Sequence, residues 1–333
     1  MNSAQIRNAI FKILFYTGLG HILHFRNKRS GKIPILLFHR ISPEPDPCWP
    51  PLHPDAFEHT IRLLSRHYAF CSLDELIGGN AGKNACCIAF DDGYLDFKEH
   101  AFPVLLKYKI PVTLFVPTNN IENNLPLWTN EADSFVRNLK KENENSSISI
   151  GNETVSLKLS SSKDLFRTAT QVKDRLMSIE PGTRDKIISD LQNKYGQKRS
   201  DLKMLSWNDI SDMQAKAPGL LNIQSHTHTH PFLPSLKPDR LEAEMENSRN
   251  HLEKKNLNKI NAIAYPIGAC NDNTLVFARK HYAHAFMVGE KLVELSQLQN
   301  NPEYLYRIPR FNISDNTGYE IFFRVNEFHR IFS

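Results

Sequence analysis

Apolar residues in this chain gather into short runs, some continuous and some interrupted by polar residues. Between the runs they recur every three or four positions. The runs are 33–38, 86–90, 112–116, 220–224, 260–264, 284–288 and 305–309. Runs of this length, bounded by polar residues, predict strands buried on both faces. Phe57, Ile61 and Leu64 mark one helix face, and Leu241, Met245, Ser248 and Leu252 mark another. Further helices are expected near 97–108 and 273–282. Ser72 with Glu75, and Ser206 with Asp209, have the spacing of helix N-caps. Strands alternating with helices predict a parallel sheet with helices packed on it. Residues 130–200 break the rhythm. There Ser147–Ile150 and Val155–Leu159 read as a hairpin around Gly151-Asn152, and two polar helices follow near 164–178 and 183–195. This stretch reads as an inserted α+β segment on one edge of the domain.

The N-terminus has a different character. Residues 10–23 are apolar but interrupted by Lys12 and His21, too short and broken to span a bilayer. They also lack a small-residue cleavage site of the kind that ends a signal peptide. Ile6, Ile10, Ile13, Leu14 and Thr17 fall at helical spacing. The helix they form either packs on the domain or lies in a membrane interface, where Arg26, Lys28 and Arg29 would help hold it. The expected organisation is an amphipathic segment over 1–30 and one domain over 31–333, with the insertion at about 130–200. A formal charge of +5 suits an anionic glycan or membrane surface and is too weak to argue for nucleic acid. Five cysteines, an odd number with no Cys-x-x-Cys, suit a reducing compartment. The expected location is the cytoplasm, at the inner membrane face if residues 6–29 make peripheral contact.

Several predicted strands end in residues capable of chemistry: His39, Asp91-Asp92, His226, Tyr265 and Arg310. In a parallel α/β barrel the C-terminal ends of the strands meet at one mouth. Asp91 and Asp92 repel each other there unless a positive charge sits beside them, although Asp-Asp-Gly is also ordinary turn chemistry. Ser225-His226-Thr227-His228-Thr229-His230 is the second dense stretch. One helical turn would put His226 and His230 on a common face, where two imidazoles and a carboxylate make an open set for a divalent metal. One aspartate would then ligate and the other act as a base.

Phe90-Asp91-Asp92-Gly93, His226-Thr227-x-x-His230 and Tyr265-Pro266-x-Gly268 together resemble the NodB-type polysaccharide deacetylases, carbohydrate esterase family four. The resemblance runs over roughly residues 33–315. It implies an α/β fold, a distorted or incomplete (β/α) barrel. It implies Asp91 as general base and Asp92, His226 and His230 as ligands of a divalent metal, with Zn²⁺ expected and Co²⁺ or Ni²⁺ as alternatives. It also implies an oxyanion donor after the third motif's strand, which falls to the Tyr265 N–H because Pro266 has none. Two departures stand out. The arginine usual upstream of the third motif is replaced by Ile263-Ala264, which leaves Arg310 to orient the base. The usual late Leu-x-His is absent, but Leu37-Phe38-His39 carries that pattern on the first strand. Some biofilm poly-N-acetylglucosamine deacetylases are similar in placing the acid histidine early, so His39 is the expected acid.

The function implied is a hydrolase that removes N-acetyl groups from amino sugars of a glycan or lipid-linked saccharide, releasing acetate. Deformylation or hydrolysis of another amide by the same residues is the near alternative. A non-catalytic glycan-binding protein is the distant one, opposed by the intact Asp91, Asp92, His226 and His230. Trp128 and Trp207 could stack on sugar rings or simply fill the core.

Overall fold

The computed structural model describes residues 3–314 and 318–328. Seven parallel strands form the centre: β1 (Ile35–Phe38), β2 (Ala85–Phe90), β3 (Val112–Val116), β4 (Leu221–Ser225), β5 (Ala262–Ala264), β6 (His284–Val288) and β7 (Ile308–Asn312). Each pairs with the next in chain order. β7 returns to β1 through Phe311 opposite Leu36 and Asn312 opposite Leu37, so the ring closes. The expected barrel is therefore present and complete, with one strand fewer than the common eight.

Period-two alternation divides the core. Ile35, Leu37, Cys87, Ala89, Phe115, Phe286 and Ile308 fill the barrel. Their neighbours Leu36, Phe38, Ile88, Phe90 and Leu114 point outward beneath the helices. With both faces covered, β1 and β2 are apolar throughout and read as continuous runs, while β4 admits Asn222 and Gln224 and β7 admits Arg310.

Helices α1 (Ser3–Tyr16) and α2 (Leu19–Arg29) precede the barrel. The apolar run 10–23 is thus broken into a helical hairpin at Gly18, whose φ is 85°. Helix α3 (Pro54–Leu64) buries Phe57, Ile61 and Leu64 as their spacing predicts. The predicted caps form, with Ser72 and Glu75, and Ser206 and Asp209, making reciprocal capping boxes. Residues 97–107 begin as a wide π turn, Phe97–Ala101, just before Pro103, which cannot donate to a regular ladder.

The insertion lies between β3 and β4. It contains α4 (Trp128–Arg137), an antiparallel hairpin of Ser147–Ile150 with Glu153–Ser156, α5 (Ser162–Met177) and α6 (Pro181–Lys194). These elements enclose a core of their own around Phe135, Ile148, Val172 and Leu176. The barrel resumes with α7 (Trp207–Lys216), α8 (Pro238–Lys255) and α9 (Asp272–His281), and α10 (Gly318–Arg324) follows the last strand.

The last strand differs from expectation. Tyr304–Tyr306 is a 3₁₀ turn, and the strand runs over 308–312, with Arg310 inside it. Pairing decides this, because Ile308 sits opposite Phe286 and Arg310 opposite Val288. Arg310 therefore shares the inward face of Ile308.

Gly268, just past β5, has φ 72°, and a Cβ there would lie 2.5 Å from the Val288 Cβ. Gly219 is also left-handed, at φ 77°, but has open space around it. Gly219→Ala should cost only the backbone term of about 1 kcal/mol. Gly268→Ala should add an overpacking cost of about 1–3 kcal/mol in urea unfolding. Equal losses would show that contact with β6 does not restrict this turn.

Candidate active site

The end of β2 carries the two aspartates. Asp91 continues the strand, its N–H donating to the Phe38 carbonyl at 3.1 Å. Asp92 and Gly93 then both turn left-handed, each at φ 74°. The glycine is required, since a Cβ there would stand 2.8 Å from Ile121. This abrupt turn separates the surroundings of the two carboxylates.

Asp91 faces Arg310. The guanidinium donates from both terminal nitrogens, Nη1 to Oδ1 at 2.7 Å and Nη2 to Oδ2 at 2.8 Å. Arg310 is fully buried, over the rings of Phe115 at 5.1 Å and Phe286 at 5.9 Å. Burial pushes the Asp91 pKa up, but Arg310 and His226 outweigh it and hold the carboxyl below its ordinary value. Asp91 thus remains a carboxylate inside a closed barrel. Arginine's planar fork suits this bidentate task, whereas a lysine would offer a single point charge.

Asp92 faces the histidines. Its Oδ1 lies 3.3 Å from His226 Nε2 and 3.4 Å from His230 Nε2. Against the effect of burial, His226, His230 and His39 hold its pKa far below the carboxylate range. His226 leaves β4, and its Nδ1–H donates to the Ala264 carbonyl at 2.9 Å, which turns the Nε2 lone pair toward Asp92. Burial lowers its pKa, yet Asp91 and Asp92 prevail and raise it. His230 is pushed down to about 3, chiefly by burial, and is neutral. The three ligand atoms lie within 4.8 Å of one another, and Asp92 Oδ1 is buried with no hydrogen-bond partner. A buried carboxylate oxygen left unpaired between two imidazoles is a donor set that fits a divalent cation.

The histidine loop is not helical, contrary to the expected helical turn. Thr227 at φ 68° and His230 at φ 55° are both left-handed, and Thr227 is β-branched, for which that conformation is an outlier. The loop keeps it because its polar groups are taken. Glu244 accepts the N–H groups of His228 and Thr229 and the Thr229 hydroxyl. Thr227 Oγ1 accepts from the His230 N–H, and Trp128 Nε1 donates to the His230 carbonyl. His228 is carried away from the triad to Thr118 Oγ1 at 2.8 Å.

His39, the first residue past β1, stands in the field of Asp92, Asp91, Arg310 and His226, with its ring edge-on to Trp49 at 5.6 Å. Burial lowers its pKa despite the two aspartates. Closure of the ring therefore brings His39, Asp91, Asp92, His226, His230 and Arg310 to one mouth. Tyr265 does not join them as expected. Its N–H donates to the Phe286 carbonyl at 3.0 Å, and its hydroxyl donates to the Tyr306 carbonyl. The pairing of β5 with β6 consumes the amide assigned to the oxyanion.

Three supporting residues, Glu244, Tyr94 and Trp49, were not singled out by sequence, whereas Trp128 and Trp207 were. Glu244 lies on the buried face of α8 beside Leu241, Met245 and Ser248, and a charge at a core position is the signal that could have found it. Tyr94 is buried beside Asp92 and donates to Asn130 Oδ1. Trp49 bridges His39 and Tyr94. Trp128 braces His230 and lies under the Arg184 guanidinium at 4.6 Å, so its ring is not a sugar platform. Trp207 stacks on His251 and donates to Glu122.

Residues 78–286 match the sequence model of a family described as polysaccharide deacetylase. Among curated proteins no significant match is found. Among solved structures, the chain is similar to the Streptococcus pyogenes deacetylase PplD in complex with acetate, at 22% identity and TM-score 0.55 over 87% of this chain and 96% of that one. A polysaccharide deacetylase from Bacillus cereus aligns at 19% identity and TM-score 0.57, over 88% of this chain and 69% of that one. IcaB from Ammonifex degensii aligns at 18% identity and TM-score 0.54, over 89% and 97%. These likenesses are of fold.

Replacing Arg310 tests the pair. Arg310→Met strands the Asp91 carboxylate in a buried site and should cost about 3–5 kcal/mol in urea unfolding. Arg310→Lys keeps the charge without the fork and should cost clearly less. A Met variant as stable as the wild type would mean that Asp91 does not need its partner.

Proposed function

Because the chain belongs to the polysaccharide deacetylase family, we propose that it is a metal-dependent hydrolase removing N-acetyl groups from amino sugars of a glycan or lipid-linked saccharide. The observation that carries this reading is the division between the two aspartates. Asp91 is held charged by Arg310, while Asp92 meets His226 and His230 with an unpaired buried oxygen.

Asp92, His226 and His230 would hold the cation, and Zn²⁺ is the proposed occupant because two imidazoles and one carboxylate are a common zinc donor set. When bound, the cation supplies Lewis-acid polarisation of the acetyl carbonyl and makes water easier to deprotonate. The protein's own residues do the proton work. Asp91 takes the proton of the attacking water as the oxygen adds to the carbonyl carbon, and Arg310 fixes both carboxylate oxygens while it does so. His39 gives its proton to the amine nitrogen as the C–N bond breaks, leaving acetate and a free amino sugar. Burial that depresses the His39 pKa makes its protonated form the stronger acid. The oxyanion amide in this reading is that of Ile267, the first N–H after Pro266, in a left-handed turn at φ 59°.

Acetate release from an N-acetylated oligosaccharide, measured after Zn²⁺ loading, tests the reading. Asp91→Asn should abolish turnover and retain metal, whereas His226→Ala should lose both. His39→Gln should keep its metal and lose about 10²- to 10⁴-fold in kcat. Full activity after exhaustive chelation would remove the metal role, and formate release in place of acetate from matched substrates would redirect the reading to deformylation.

A further inference from the structure

The N-terminal hairpin presents a surface that the barrel does not use. Of the ten large apolar side chains exposed among the described residues, six lie on α1 and α2: Ile6, Ile10, Ile13, Tyr16, Ile22 and Phe25. They are not the inner face of these helices. That face is already filled, with Phe11 against Phe323 at 5.6 Å and Phe15 against Phe322 at 5.2 Å, both on α10. Ile6, Ile10 and Ile13 follow the i, i+4, i+7 spacing of a second stripe on α1, and Ile22 and Phe25, three residues apart, are exposed on α2.

Charge identifies the occupant. Residues 3–29 hold five basic side chains and no Asp or Glu, and one of the five, Arg7, pairs with Glu320. Lys12, Arg26, Lys28 and Arg29 are exposed on the hairpin. The field continues onto α3, where His59 stands among Arg62, Arg66 and Lys12. The Arg29 guanidinium lies 5.6 Å from the centroid of the exposed Phe25 ring. A second copy of this patch would bring like charges together. A surface that is apolar beneath and anionic above accommodates both the stripe and the cations. No described helix is long and apolar enough to cross a membrane. With 14 and 11 residues, α1 and α2 have the length to lie along a surface instead.

We propose that the α1–α2 hairpin docks the protein on an anionic lipid bilayer, with Ile6, Ile10, Ile13, Ile22 and Phe25 in the headgroup–acyl boundary and the neighbouring lysines and arginines against lipid phosphates. The inference stands apart from the reaction, since the patch shares no residue with the catalytic mouth.

Flotation of the full-length protein with phosphatidylcholine vesicles, with and without phosphatidylglycerol, is the test. At least about tenfold more protein should float with the anionic vesicles, and high salt should reduce the difference. Ile10→Asn/Ile13→Asn/Phe25→Asn should abolish flotation with an unchanged melting temperature, because all three side chains are exposed. Lys12→Gln/Lys28→Gln/Arg29→Gln should remove only the preference for anionic lipid. Turnover of a soluble oligosaccharide should be the same in every variant, so a loss of docking cannot be mistaken for a loss of catalysis. Absence of wild-type flotation, or apolar variants that float like the wild type, would overturn the proposal. So would a dimer in analytical ultracentrifugation that the apolar substitutions dissolve while neither form binds vesicles.

Discussion

The buried pair between Asp91 and Arg310 is the constraint on which the site depends. A carboxylate inside a closed barrel is stable only with a matched cation and satisfied oxygens. Arg310 meets both conditions with two bonds from one planar group. The partners lie 219 residues apart in sequence. They meet because β7 pairs with β1 and β1 with β2, so the residue that keeps Asp91 charged reaches it only if the ring closes. The pairing that compensates the buried Asp91 carboxylate is therefore complete only when the barrel is.

Around this pair the backbone is held in conformations it would not choose. Asp92, Thr227, His230 and Ile267 are all non-glycine residues with positive φ, and all lie in loops that follow β2, β4 or β5. Residues of this kind cost about 1–3 kcal/mol each and persist only where the surroundings over-determine them. For the histidine loop those surroundings are identifiable. Glu244 takes three donors, the Ser225 hydroxyl accepts from the Thr227 N–H, and Trp128 reaches across from the insertion. The strain has a geometric result, since it directs His226 and His230 toward Asp92 and turns His228 away.

The insertion consequently does more than decorate an edge. It has its own apolar core, yet its first helix supplies Trp128 to the His230 carbonyl and Asn130 to the Tyr94 hydroxyl beside Asp92. The group of Asp92, His226 and His230 is thus built from the barrel and braced by the segment inserted between β3 and β4. The N-terminal hairpin is different in kind. It packs its inner aromatic face on α10 and leaves an apolar and basic outer face exposed.

Much of this was legible in the amino-acid order because it is local. Burial on both faces makes β1 and β2 continuous apolar runs, and a cap needs only a serine and an acid three residues apart, as at Ser72 with Glu75. The pairing of Asp91 with Asp92 and the spacing of His226 and His230 are likewise short-range patterns, and the structure brings these four side chains together. What lay outside the sequence depends on neighbours distant along the chain. The last strand was displaced by three residues because its limits come from pairing with β6 and β1. The Tyr265 amide was lost to the oxyanion because β6 claimed it. A helical turn was expected for the histidines because spacing alone cannot reveal that Glu244 and Trp128 hold a left-handed loop. Sequence determined which residues could do the chemistry, since side-chain identity sets what each can ligate or protonate. Only the closed ring decided which of them meet, because no property of Arg310 or His39 taken alone directs it to Asp91.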